Sequence, residues 1–133
     1  MADETVRDKR FWTSWAMTAL VVLFLLVDAV GKLFAPKTIV DATVALGFDG
    51  VADTRAIGLV LLICTVLHIV PRTTLLGALL LTAYLGGAVA IQLRVDAPVL
   101  STLLFGVYLG VIMWGGLWLR DERVRALIPL TQR

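Results

Sequence analysis

Cysteine and histidine are almost missing from this 133-residue chain: Cys64 and His68 stand alone. A single thiol excludes an internal disulfide and every Cys-x-x-Cys redox or metal motif. One thiol and one imidazole cannot assemble a structural zinc site, and one histidine cannot ligate a haem from both faces. No metal is expected, and any redox role needs a bound organic cofactor or a partner subunit. Charge is also scarce, at 17% of residues where soluble domains carry about a quarter. The net charge of +2 does not indicate nucleic acid, because the basic residues sit in short clusters at the ends of apolar runs rather than in one patch. They read as topology signals.

What is abundant is hydrocarbon, with 59% of residues apolar. A small water-soluble protein has too much surface to bury that share, so lipid must be the solvent for most of the chain. Four apolar segments are separated by punctuation: residues 11–34, stopped by Pro36; 55–70, with Thr54 as N-cap and Pro71 as terminator; 74–93; and 99–119. About 20 helical residues at 1.5 Å rise cross the roughly 30 Å hydrocarbon layer. The second segment is short for this and has to thin the bilayer, snorkel Arg55 outward or shelter against its neighbours. Arg7, Lys9 and Arg10 precede the first segment like the basic region of a signal peptide. The apolar run is too long for one, however, and an uncleaved span is expected.

The connections differ in kind. Residues 71–73 and 94–98 are tight, which forces neighbouring helices antiparallel. Residues 35–53 form the one sizeable connection. Within it, 38–46 repeat apolar residues at helical spacing (Ile39, Val40, Val44), so a short amphipathic helix on the membrane surface is expected. Gly47-Phe48-Asp49-Gly50 then turns the chain back. The expected fold is all-α: an integral membrane four-helix bundle, up-down-up-down, with residues 1–133 as one transmembrane domain. On that topology Arg7, Lys9, Arg10, Arg72, Arg120, Arg123, Arg125 and Arg133 share one side, and Lys32, Lys37, Arg55 and Arg94 share the other. The excess places both termini in the cytoplasm. Trp12, Trp15 and Trp118 fall at that same interface, with Trp114 about one turn deeper, as an aromatic belt would.

Helices in lipid associate by close contact, which small residues permit. Ala78, Thr82, Gly86 and Ala90 recur every four residues in the third segment, widened by Ala83 and Gly87, and Gly106 and Gly110 form a Gly-x-x-x-Gly pair in the fourth. Packing within the chain is the expected use. A homo-oligomer built on the fourth helix is the alternative.

Ionisable groups inside a span cost about 2.5–3.5 kcal/mol each, so they raise the question of function. On the expected topology Asp28 and Lys32, Arg55, and Gln92 and Arg94 converge from three helices at the outer end, joined by Ser101 and Thr102. Asp28 lies about 9 Å of helix before Phe34 and needs a partner. Two readings are open. In one, Asp28 pairs with Lys32 or Arg94 as a neutral latch while the other cations snorkel to water. In the other, Asp28, Lys32, Arg55, Gln92 and Arg94 line a polar pocket for an anionic or quinone-like headgroup, with Tyr84 or Tyr108 as donors. His68 reads as a satisfied interfacial histidine and Cys64 as a small packing residue.

The run Val70-Pro71-Arg72-Thr73-Thr74-Leu75-Leu76-Gly77-Ala78, the block Tyr84-Leu85-Gly86-Gly87-Ala88-Val89-Ala90, and the ending Trp114-Gly115-Gly116-Leu117-Trp118-Leu119-Arg120-Asp121 resemble the DoxX-like family of small bacterial membrane proteins. Gly31-Lys32-Leu33 before Pro36, and Leu46-Gly47-Phe48, resemble its first-helix end and first loop. The resemblance implies a four-helix bundle in the bacterial inner membrane. It also implies kinship with subunits tied to quinone-linked sulfur oxidation and oxidative-stress complexes. Lys32 and Arg94 match positions that the family tends to keep polar. Leu61 stands where an acidic residue is frequent and Gln92 where histidine is, so proton or quinone chemistry carried by those groups in relatives is absent here.

The function expected is an accessory membrane subunit or a binder of a small lipid-soluble molecule, a quinone being the candidate cofactor, beside a membrane redox partner. The alternative is a small transporter or permeability element acting as an oligomer, although no span has a broken middle and no inverted repeat is visible. No nucleophile–base pair, metal cluster or phosphate loop supports autonomous catalysis.

Overall fold

The computed structural model describes residues 2–127; Arg133, counted above for orientation, lies outside them. Six α-helices and one π-helical turn make up the fold, with no strand among the described residues: α1 Ala2–Phe34, α2 Lys37–Ala45, α3 Val51–Ile69, α4 Thr74–Arg94, the π-helical turn Val99–Leu103, α5 Phe105–Arg120 and α6 Glu122–Leu127. Four stretches are long and apolar enough to cross a membrane: Glu4–Phe34, Val51–Ile69, Thr74–Arg94 and Val99–Arg120. Their outer faces carry Leu20, Leu23, Val27 and Val111, all strongly exposed, as helices solvated by lipid should.

Several boundaries depart from the sequence expectation for local reasons. Helix α1 begins well before the apolar run, because its charged first turns contain neither proline nor glycine and helix formation does not require apolar residues. Helix α3 begins at Val51 and spans 19 residues, about 28 Å at 1.5 Å per residue, so it is not short. Its start is set by Gly50, whose φ of 103° reverses the chain. Thr54 is therefore no N-cap. It lies buried inside the first turn, where its hydroxyl donates to the Gly50 carbonyl at 2.8 Å. The fourth span opens with a wide turn after Pro98, in which the Leu103 and Leu104 amides donate five residues back, to Pro98 and Val99.

Helix α1 packs against α3 and α5, α3 against α4, and α4 against α5, which closes a four-helix ring; α2 lies over α3 and the end of α1. Val21, Leu25, Leu61, Ala78, Leu81, Met113 and Leu117 fill the centre. Three glycines set the closest approaches. A Cβ at Gly58 would lie 2.7 Å from Lys32 Cβ and 3.0 Å from the Ala29 carbonyl oxygen. One at Gly116 would lie 2.8 Å from Thr18 Oγ1, and one at Gly77 would strike the His68 backbone.

The small-residue stripe on α4 is used differently from the expectation. Ala78 is buried, but Thr82, Gly86 and Ala90 are exposed, and no atom lies within 4 Å of a Cβ placed on Gly86. Steps of four residues rotate by about 40° around a helix, so a stripe that starts in the core has turned away from it by Ala90. The contact face is Gly77, Ala78, Leu81 and Leu85. Gly106 does meet α4: a Cβ placed on it would lie 3.1 Å from Val89 Cγ2 and 3.2 Å from the Leu85 oxygen. Gly110, Gly86 and Thr82 border an open apolar groove of about 330 Å³, where the Trp114 indole N–H donates to Thr82 Oγ1 at 2.7 Å.

Candidate functional site

At the end of the bundle where α1 finishes and α3 starts, the helices separate around a cavity of about 560 Å³. Its polar groups come from three elements: Asp28 and Lys32 from α1, Tyr84 and Gln92 from α4, and Ser101 and Thr102 from the π-helical turn. The remaining wall is apolar, and Leu46 and Phe48 from the segment after α2 contribute to it.

Asp28 and Lys32 are one helical turn apart on the same face, and Lys32 Nζ donates to Asp28 Oδ1 at 2.5 Å. Both side chains are partly screened from solvent. The pair carries no net charge, so the cavity offers a strong dipole rather than a free ion. Gln92 adds an amide with donor and acceptor ends, and Ser101 and Thr102 add hydroxyls.

Two of the five expected site residues stand outside the lining. Arg55 is exposed, and its Nε–H donates to the Leu33 carbonyl at 3.2 Å, tying the first turns of α3 to the end of α1. Arg94 reaches over the surface, where its Nη2–H donates to the Leu46 carbonyl at 3.0 Å. The Arg94 guanidinium occupies the space a side chain at Gly47 would need, and Gly47 holds φ at 99°. Both arginines therefore fasten backbone around the cavity. Tyr84 lines the wall, whereas Tyr108 donates its hydroxyl to the Leu100 carbonyl at 2.9 Å and so braces the π-helical turn.

Residue-type reasoning missed the apolar lining, including Phe24, Phe48, Ile57 and Phe105. Ala83 and Gly87, which suggested helix contact, also face this space, as does Ala88. Here small residues create volume instead of closing it. The signal for this was their position beside Tyr84, Ala83 directly before it and Gly87 and Ala88 one turn beyond.

At the other end of the bundle a second polar group forms. The Arg120 guanidinium lies 4.4 Å over the Trp15 ring and donates to Thr18 Oγ1 at 2.5 Å, which links the end of α5 to the first half of α1. His68, expected as a satisfied interfacial histidine, is buried within the bundle at 2% exposure. Its Nδ1 lies 3.1 Å from the Thr74 carbonyl, and its Nε2 meets no hydrogen-bond partner among the described residues. Cys64 is buried and free, a small packing residue in α3.

A ring of four membrane-length apolar helices around a cavity at one end defines a small multi-pass helical membrane protein. The DoxX-like family matches the chain over residues 16–116, a stretch that contains every cavity residue named above, and the chain belongs to that family. No curated protein and no solved structure matches the chain.

Proposed function

We propose that this chain binds and positions a small lipid-soluble molecule, quinone- or lipid-like, in the cavity beside Asp28 and Lys32, as an accessory subunit linked to membrane redox or stress functions. The carrying observation is a cavity of about 560 Å³ whose few polar groups gather at one place in an otherwise apolar wall. That volume lies within the range of about 300–1,000 Å³ typical of small-molecule sites. An apolar ring or chain fits the wall, and a carbonyl or hydroxyl head can exchange hydrogen bonds with Lys32, Gln92, Ser101 and Thr102. With one thiol and one imidazole the chain cannot hold an iron–sulfur cluster or a bis-histidine haem of its own, so electrons from a bound quinone would pass to a partner subunit.

In this reading the four helices run up-down-up-down through the bacterial inner membrane, with both termini cytoplasmic and the cavity near the periplasmic face. Two contacts support the alternation. Leu33, near the end of α1, meets Arg55, near the start of α3, and Thr18, in the first half of α1, meets Arg120 at the end of α5. The distribution of lysine and arginine supports the orientation.

Mass spectrometry of the detergent-purified protein tests the binding reading. An uncharged lipid-soluble molecule is expected to copurify with the wild type, and to be lost from an Asp28→Asn/Lys32→Met/Gln92→Leu variant that still elutes as a folded species. Equal loads on the two proteins, or no copurifying molecule and no uptake of added quinone or lipid, would remove the basis for the proposal.

A further inference from the structure

Two sides of the cavity are fastened very differently. Toward the bundle end it is roofed by the segment after α2. There Arg94 holds the Leu46 carbonyl at 3.0 Å, and the Asp49 amide donates to Asp53 Oδ2 at 2.8 Å. Polar crosslinks to backbone thus hold that roof at two points. Among the described residues, the seam between α1 and α5 shows no such bond at cavity level. It is closed by two rings, Phe24 and Phe105, whose centroids lie 5.0 Å apart with planes inclined at 63°. Both rings line the cavity, and both also face outward, 41% and 40% exposed.

We infer that the Phe24–Phe105 pair is a lateral portal between α1 and α5 through which the cavity takes an uncharged molecule dissolved in the bilayer. This rests on the ligand-binding reading above and adds its route and ligand class. Phe24 precedes Asp28 by one helical turn and Phe34 by about 15 Å of helix, which places the rings well inside the hydrocarbon layer rather than at its surface. A molecule passing there never meets water, and an ion could not make that journey. Phe105 stands directly after the π-helical turn Val99–Leu103, which already departs from regular α-helical bonding. Such turns interrupt the regular ladder and are frequent at functional sites. Ring-to-ring contact is modest in strength, and parting the rings breaks no hydrogen bond. Once past them, a polar head lies one turn from the Asp28–Lys32 dipole, which matches an uncharged donor–acceptor group better than a full charge.

The test reads access without any ligand. Ala88, in the cavity wall, becomes a reporter thiol in an Ala88→Cys/Cys64→Ala protein reconstituted into liposomes. Its labelling rate is measured with a lipid-soluble pyrene maleimide and with a charged, membrane-impermeant thiosulfonate. Adding Phe24→Ala or Phe105→Ala is expected to speed the lipid-phase reaction about three- to tenfold, the factor that one aromatic pair corresponds to. The charged reagent should be unaffected. Phe24→Trp, which enlarges the plug, should slow the lipid-phase reaction, and Arg94→Met should leave it unchanged. The portal is overturned if the alanine variants leave the lipid-phase rate unaltered or raise both rates together, if Phe24→Trp fails to slow it, or if Arg94→Met alone accelerates labelling. Failure of any molecule to copurify would sink the binding reading without changing these rates, so the two can fail separately.

Discussion

Lys32 and Asp28 show how much of the site is legible one residue at a time. A carboxylate and an ammonium one turn apart within an apolar run announce themselves, because each is costly in hydrocarbon unless paired. Gln92, Ser101 and Thr102 were legible for the same reason, and the structure gathers all five around one cavity. Arg55 and Arg94 were equally conspicuous but do not line it. A long side chain near a helix end can reach backbone on a neighbouring element, and composition cannot say which way it turns. The ion pair leads to a coupling prediction. Lys32→Met alone strands a carboxylate and should lower thermal stability in detergent by about 1.5–3 kcal/mol. Asp28→Asn combined with Lys32→Met should cost clearly less than Lys32→Met alone. Additive losses in a double-mutant cycle would show that the two groups do not interact.

At the scale of the element, the apolar runs, the prolines and the glycine turn were sufficient to foresee the four spans and α2, though not α6 or the π-helical turn. They did not give the phase of α4. Four-residue repetition predicts a contact stripe, yet the helix turns Thr82, Gly86 and Ala90 outward and uses Gly77 instead. Phase is fixed by what each neighbour presents, here the backbone of His68 and Leu67 against Gly77. Two glycines on this one helix should therefore respond in opposite directions. Gly77→Ala is expected to destabilise the protein by about 2 kcal/mol through overpacking. Gly87→Ala, where nothing lies within 4 Å, should stabilise it by about 0.5–1 kcal/mol through helix propensity. Thermal unfolding of the two variants side by side checks this, and equal shifts would contradict the packing described.

Helix α6 supplies the pH-sensitive element. Asp121 precedes it and accepts from the Arg123 backbone amide at 2.9 Å and from the Arg123 guanidinium at 3.3 and 3.4 Å. The side-chain bond from Arg123 holds the Asp121 carboxyl below its ordinary value, with the Arg123 amide and charge acting the same way. A lowered carboxylate contributes stability that is present above its unfolded pKa of about 4 and is lost as pH falls through the folded value. Amide exchange in α6, corrected for its intrinsic pH dependence, should thus quicken on acidification below about pH 4. Asp121→Asn should remove that dependence. The effect should be small and salt-sensitive, because Arg123 is largely exposed.

For the whole molecule, lipid as solvent explains the exposed leucines and valines, the close glycine contacts and the rarity of charge together. The cavity is where this economy of space is relaxed around polar groups. Its polar half could be foreseen because misplaced charge is visible in a sequence. Its apolar half, Phe24, Phe48, Ile57 and Phe105 among it, could not, since apolar residues in a membrane helix look alike until their neighbours are placed. The most direct measurement fills that space. Gly87 borders the cavity with open room before it, so Gly87→Phe should occupy the volume and leave the helix contacts intact. Native mass spectrometry with a short-chain quinone or an uncharged lipid should show the wild type carrying one bound molecule and Gly87→Phe carrying none at an unchanged melting temperature. The same bound mass on a normally folded Gly87→Phe protein would contradict the account.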